Sequence, residues 1–382
     1  MNGLGTETAF EVLARAKTLE REGREIIHLE VGEPDFDTPS NIKEAAIRAI
    51  KAGYTHYVPA AGIPELREAI AEYLSQTRGI DVDPEEVVVT PGAKPIIFFS
   101  ILACVEAGDE VMYPNPGFPI YESMINFVGA RPVPILLKEE NDFRMDGQDI
   151  VAKISRKTKM IILNSPENPT GGVISKSSLE AIADIVRQRD DIFVLSDEVY
   201  SRIVYEGDYQ SIVSIPGMKD RTILLDGFSK TYAMTGWRLG YGVMTKVLAQ
   251  KVTQLMINSN SCTCAFVQMA GVEALRGPQD ELMKMVEEFR RRREVIVAGL
   301  NRIDGIACKK PSGAFYVFPN VKSFGIESRK LSDLILQKAG VAVLPGSAFG
   351  AYGEGYLRLS FANSMKNIER ALERISEMLE GL

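Results

Sequence analysis

The sequence is poor in the residues that most often hold metals: 382 residues include only two histidines, His28 and His56, and four cysteines, Cys104, Cys262, Cys264 and Cys308. Two histidines nearly exclude a multi-histidine metal site and leave little material for a histidine-based triad. Each is expected to serve as an ordinary structural histidine. The cysteines form no Cys-x-x-Cys pair, so neither a metal site nor a disulfide framework is expected, and a reducing compartment fits. No apolar run reaches membrane-spanning length. Residues 1–20 are broken by Glu7, Glu11, Arg15 and Lys17, unlike the unbroken hydrophobic core of a signal peptide, so the chain is read as cytoplasmic. Basic charge is also short: the formal net charge is -7, which argues against nucleic acid as a main partner, because binding phosphate over a wide footprint needs a basic face. Internal repeats and low-complexity tracts are missing as well.

What is present has the balance of a soluble globular protein, 45% hydrophobic and 25% charged, with length enough for two or three domains. Residues 6–22 read as an amphipathic helix with Phe10, Leu13, Ala14 and Leu19 roughly on one face, followed by a short strand over 26–31 and a turn from Gly32 to Phe36. Helices are expected over 41–51 and 64–73, on either side of an exposed aromatic stretch at 54–59. From Glu86 to Asp226, apolar runs at 87–89, 111–113, 160–163, 192–195 and 222–225 alternate with helical patterns. Such alternation predicts an α/β fold, a mainly parallel sheet with helices on both faces. The last third reads as a smaller α+β domain: a long helix over 281–303, strands at 314–318, 341–344 and 356–361, and helices over 328–339 and 364–379. Its basic run, Arg290 to Arg293, is expected to be mostly solvated. The domain reading is residues 1–40 as an N-terminal segment joining the small domain, 41–280 as the large domain and 281–382 as the small one.

Chemistry-bearing residues follow the apolar runs, and in a parallel sheet such segments converge on one edge. Lys230 lies in Asp-Gly-Phe-Ser-Lys-Thr-Tyr, just past the run 222–225. An amine that must condense with an aldehyde has to be shielded from water and partly deprotonated, which a buried loop beside cationic neighbours provides. Arg238 and Ser229 offer donors to a phosphate, and Gly92, Ala93 and Lys94 offer free amides before a helix that begins around Pro95. Asp197 suits a protonated ring nitrogen, while Tyr200 and Asn168 suit a phenolate-like oxygen. Phe118 supplies a plate for a flat heteroaromatic ring. Phosphate cradle, ring partners, stacking face and aldehyde-trapping lysine together describe pyridoxal 5'-phosphate.

The same residues sit in VGEPDF (31–36), the Tyr57-xxxx-GIPELR segment ending at Arg67, PGAKP, NPGFPIY, NSPENPTG, SDEVY, FSKTYAMTGWRLGYG, PSGAFY and YLRLSF. On these motifs the chain resembles, over essentially its whole length, a fold-type I pyridoxal phosphate enzyme of the class I/II aminotransferase family. The resemblance implies a large domain with a mainly parallel seven-stranded sheet between helices, plus the smaller α+β domain. It implies that Lys230 condenses with the cofactor aldehyde and later carries the proton of the substrate α-carbon. Asp197 would pair with the ring nitrogen, Tyr200 and Asn168 with the ring oxygen, and Ala93, Lys94, Ser229 and Arg238 with the phosphate. Tyr57 matches a tyrosine that reaches the neighbouring subunit's phosphate, implying a homodimer with shared active sites. Arg358 matches the arginine that binds the substrate α-carboxylate, with Gly32 a backbone contact beside it.

The implied reaction is ping-pong transfer of an amino group between an L-amino acid and a 2-oxo acid. Aspartate or glutamate with 2-oxoglutarate is the leading expectation, because in one subgroup of aspartate aminotransferases the residue matching Lys94 reaches the distal carboxylate. Lys94 precedes a proline, however, and its amide alone serving the phosphate is an equal reading. The stacking position is Phe118, where the best-known aspartate-specific relatives carry tryptophan, so alanine, aromatic and branched-chain donors stay open. Lyases and synthases share the fold and are the more distant alternative.

Overall fold

Short runs of valine, isoleucine and leucine have no polar face to offer water, so they are stable as strands only when both sides of their sheet are covered. In the computed structural model, which describes residues 4–5 and 7–381, they form a seven-stranded sheet. Residue 6, where the first helix is expected to begin, and the outermost ends of the expected terminal domains lie outside the described residues. The spatial order is Val87–Thr90, Gly240–Val243, Thr222–Gly227, Phe193–Asp197, Thr158–Asn164, Glu110–Asn115, Arg131–Leu136. Gly240–Val243 runs opposite to the other six strands, which are all parallel to one another.

Alternate strand residues face opposite layers. Met160, Ile162, Leu195 and Ile223 pack on Ile97, Met124 and Val252 of the helices Lys94–Cys104, Ile120–Phe127 and Lys246–Asn260. Ile161, Leu163 and Val194 pack the other way, on Leu179, Ile182 and Val186 of Lys176–Arg187. Two strands go unread in the sequence. Arg131–Leu136 is an edge strand carrying Pro132 and Pro134, tolerable there because one side needs no ladder partner. Gly240–Val243 hides its strand character behind two glycines, and the first is required by packing: a Cβ on Gly240 would lie 2.4 Å from the Ala93 nitrogen.

Register levels the functional ends of the central strands, with Asn164 opposite Asp197 and Asp197 opposite Leu225. Outside this sheet, Ile27–His28 pairs in parallel with Val341–Ala342, a shorter strand than the six residues expected over 26–31. Leu344–Pro345, Leu357–Ser360 and Tyr316–Val317 form a three-stranded antiparallel sheet that carries Arg358.

Two expectations fail for side chains. The buried residues of the helix Thr8–Arg21 are Val12 and Ala16, one turn apart, whereas Phe10 is 66% exposed to solvent and Ala14 is exposed too. In Asp280–Leu300, Arg292 and Arg293 are buried rather than solvated. Their charges are answered: Arg292 pairs with Asp35 at 2.6 Å and Glu288 at 3.1 Å, and Arg293 bonds the Pro311 carbonyl at 2.8 Å while stacking 4.6 Å over the Tyr205 ring. A delocalised guanidinium with partners and an aromatic face tolerates burial that a bare charge would not.

Behind Asp197, the buried guanidinium of Arg78 donates to Glu198 at 2.8 Å and to Ser201 at 2.8 Å, and Ser196 donates to Glu198 at 2.9 Å. Removing one partner of such a pair strands the other charge. Glu198→Ala is expected to lower the free energy of unfolding by about 3–5 kcal/mol in urea titrations, while Arg276→Ala, which breaks an exposed pair with Glu72, moves the midpoint far less. Equal midpoints for the two variants would contradict this account.

Candidate active site

The carboxyl ends of the parallel strands open into a cavity of about 470 Å³. Lys230 reaches it from the short helix Phe228–Thr231, directly after the strand Thr222–Gly227. Its ammonium donates to the Gly32 carbonyl. Burial lowers its basicity to about 8; Glu33 opposes the shift, and the positive charges of Arg358 and Arg238 add to it. The desolvation of the charged form outweighs the attraction of the carboxylate.

One corner of the cavity gathers anion donors. Ala93 and Lys94 open the helix Lys94–Cys104, so their amides and the positive end of its dipole face the space that Ser229 and Arg238 also line. Gly92 adopts a positive φ of 86°, and a Cβ there would lie 2.2 Å from Arg238 Nη2. Only a glycine lets the guanidinium approach this turn. Arg238 is oriented by its bond to the Thr235 carbonyl at 2.7 Å.

The opposite end holds Asp197, buried, with its Oδ2 accepting from Tyr121 at 2.6 Å. Burial raises the acid to about 6, and the Tyr121 hydroxyl and the Val199 amide pull it back. Phe118 lies across the same cavity, its ring edge-on to Tyr121 at 5.8 Å. Tyr200 and Tyr316 share a hydroxyl contact of 2.7 Å. Arg358 donates to Asn168 Oδ1 at 3.2 Å and to the Glu30 carbonyl, and its cation sits 4.5 Å over the Tyr316 ring. Its Nε is buried without a partner. A Cβ on Gly32 would collide with the Tyr316 hydroxyl at 2.1 Å, so glycine is needed for that segment to pass.

The fold therefore brings Gly32, Ala93, Lys94, Phe118, Asn168, Asp197, Tyr200, Ser229, Lys230, Arg238 and Arg358 to one cavity. Tyr57 stands apart, 88% exposed and outside the lining. Sequence reasoning did not single out Tyr121, Tyr316, Glu7 or Phe10, all of which line the cavity. Tyr121 and Tyr316 belong to motifs already noted, NPGFPIY and PSGAFY, and Tyr121 lies in the first turn of the helix Ile120–Phe127, just after Phe118. Nothing local marked Glu7. Among the described residues no cluster of three or more His, Cys, Asp or Glu is placed to hold a metal, and no helix is long and apolar enough to cross a membrane.

The donor set fits pyridoxal phosphate: a dianion cradle, a buried carboxylate, an aromatic plate, and a half-buried lysine of lowered basicity. A mainly parallel sheet carrying these groups at its carboxyl edge defines a fold-type I pyridoxal phosphate-dependent transferase. The comparisons make the family specific. Residues 24–375 match the family model for aminotransferase class I and II. An aspartate aminotransferase of Pyrococcus horikoshii is 44% identical over 373 residues, covering 97% of this chain and 94% of that protein. An aromatic-amino-acid aminotransferase of Thermococcus litoralis is 41% identical, covering 93% and 92%. The crystal structure of Thermus thermophilus aspartate aminotransferase with maleate superposes with a TM-score of 0.93 at 37% identity, covering 99% of this chain and 98% of that one. The chain belongs to the class I and II aminotransferases, a pyridoxal phosphate-dependent family, and is a transaminase.

The depressed basicity of Lys230 sets a pH dependence. In cofactor-free protein its amine is protonated and inert below its pKa and reactive above it, so modification by acetic anhydride, followed by peptide mass spectrometry, is expected to rise with a midpoint near pH 8. A midpoint at the ordinary lysine value of 10.5 would show that the fold does not depress it.

Proposed function

We propose that the chain binds pyridoxal phosphate in this cavity and moves an amino group between aspartate or glutamate and 2-oxoglutarate. The observation that carries the reading is Lys230, with its lowered basicity, in one cavity with the amide and guanidinium donors at Ala93, Lys94 and Arg238 and with the guanidinium of Arg358. Bound there, the cofactor supplies an electron-withdrawing ring that stabilises negative charge at the substrate α-carbon.

The amides of Ala93 and Lys94, with Ser229 and Arg238, hold the phosphate. Asp197, kept in place by Tyr121, holds the proton on the ring nitrogen, while Tyr200 and Asn168 bond the ring oxygen. Phe118 stacks on the ring face. Arg358, already oriented by Asn168 and the Glu30 carbonyl, takes the substrate α-carboxylate with its remaining donors, beside Gly32. The neutral amine of Lys230 removes the α-proton, and its ammonium returns a proton on the other side of the transfer.

A second reading, neutral aromatic donors, is favoured by the apolar wall of Ile97, Phe10 and Phe118 and by the similarity to relatives named for aromatic as well as for aspartate transamination. We further infer a cytoplasmic homodimer in which Tyr57 reaches the neighbouring active site, supported by the exposure of that aromatic side chain. A chain that sediments as a monomer would contradict the dimer. The division into residues 41–280 and a small domain of 281–382 joined by 1–40 is likewise a proposal, supported by the pairing of Ile27–His28 with Val341–Ala342.

Cofactor-loaded protein is expected to form glutamate from aspartate and 2-oxoglutarate. Lys230→Ala keeps the cofactor non-covalently and loses turnover. Arg358→Lys raises KM for donor and acceptor alike, by roughly tenfold or more, because a point charge cannot reproduce a bidentate contact. No transfer from aspartate, glutamate, alanine or phenylalanine would overturn the reading.

A further inference from the structure

We propose that Glu7 is a substrate-selecting residue: seated on Lys94, it masks the cation best placed to reward an acidic side chain, so aspartate or glutamate gains that contact only by displacing Glu7. The inference rests on the transaminase reading of the cavity and deepens it.

Four cationic residues line the cavity: Lys94, Lys230, Arg238 and Arg358. The proton-transferring amine accounts for Lys230, the phosphate for Arg238 and the α-carboxylate for Arg358. Lys94 is left for the substrate's side chain. Its amide belongs to the start of the helix Lys94–Cys104, but its Nζ extends along the wall to 5.4 Å from the centre of the Phe118 ring. There it forms an ion pair with the carboxylate of Glu7.

Glu7 is free to do this. It stands at the N-cap of the helix Thr8–Arg21 without capping that helix with its side chain, so its carboxylate is not spent on backbone amides. The segment is held over the cavity: the Gly5 amide donates to Ser123 Oγ at 2.9 Å, and Arg15 pairs with Asp333 at 2.6 Å. The negative charge of Glu7 is felt within the site, where it raises the basicity of Lys230 and Arg358. An incoming side-chain carboxylate therefore meets a neutralised lysine and a like charge, both of which count against it. Phe10, three residues on, and Ile97 extend the same wall with apolar surface that suits an uncharged side chain.

The Glu7 and Lys94 side chains are 23% and 42% exposed, which limits the strength of their pairing. Glu7→Gln is therefore expected to tighten binding of maleate, a dicarboxylate, by about fivefold, while 3-phenylpropionate, with the same carboxylate on an apolar body, binds as before. Both dissociation constants are read by calorimetry on cofactor-loaded protein. In a Lys94→Met background the effect of Glu7→Gln on maleate is expected to shrink, because only the direct repulsion by the Glu7 carboxylate is then relieved. An equal change for both ligands, or no change in their ratio, overturns the role of Glu7. Failure of the wild type to transfer an amino group from any donor overturns the transaminase reading instead.

Discussion

The ammonium of Lys230 is half-buried just past the end of Thr222–Gly227 and rests on a carbonyl, that of Gly32, rather than on a carboxylate. A carboxylate in direct contact would hold its proton; a carbonyl accepts a hydrogen bond without stabilising the charge nearly as much. Much of the surrounding structure follows from that constraint. Arg238 and Arg358 add positive charge, while Asp197, the buried carboxylate of the cavity, is engaged by Tyr121. The base and the acid thus share one cavity without neutralising each other.

The sheet makes this separation rigid. Asn164, Asp197 and Leu225 stand level on neighbouring strands, so the lateral spacing of the functional groups is set by ladder hydrogen bonds rather than by loops. The buried pair of Arg78 and Glu198 braces the turn behind Asp197, and the close passage of Gly240 by Ala93 fixes the helix start against the strand end. Arg358 comes from a different sheet, joined to the cavity through Asn168 and the Glu30 carbonyl. Substrate and cofactor would therefore be gripped from two sides.

Much of this was legible in the sequence because parallel strands place their carboxyl ends together. Once the apolar runs ending near Asn164, Asp197 and Gly227 are read as strands, Asn168, Tyr200 and Lys230 are neighbours without further information. The rest depended on contacts that no local pattern encodes. Glu7 meets Lys94 across 87 positions, and Tyr121 meets Asp197 across 76. Prolines in Arg131–Leu136 and glycines in Gly240–Val243 disguised two strands, one protected by its edge position and the other selected for close approach. Arg292 and Arg293 misled for a related reason: a basic run is ordinarily solvated, and only the tertiary placement of Asp35, Pro311 and Tyr205 makes its burial tolerable.

The central claim is that the amino group passes through this one cavity, from donor to cofactor and from cofactor to acceptor. It is tested most directly by the colour of protein loaded with pyridoxal phosphate, titrated with aspartate in the absence of an acceptor and then with 2-oxoglutarate. The account predicts that the yellow of the bound cofactor fades with the first addition and returns with the second. A protein that binds the cofactor yet keeps its colour with aspartate, glutamate, alanine and phenylalanine in turn would contradict it.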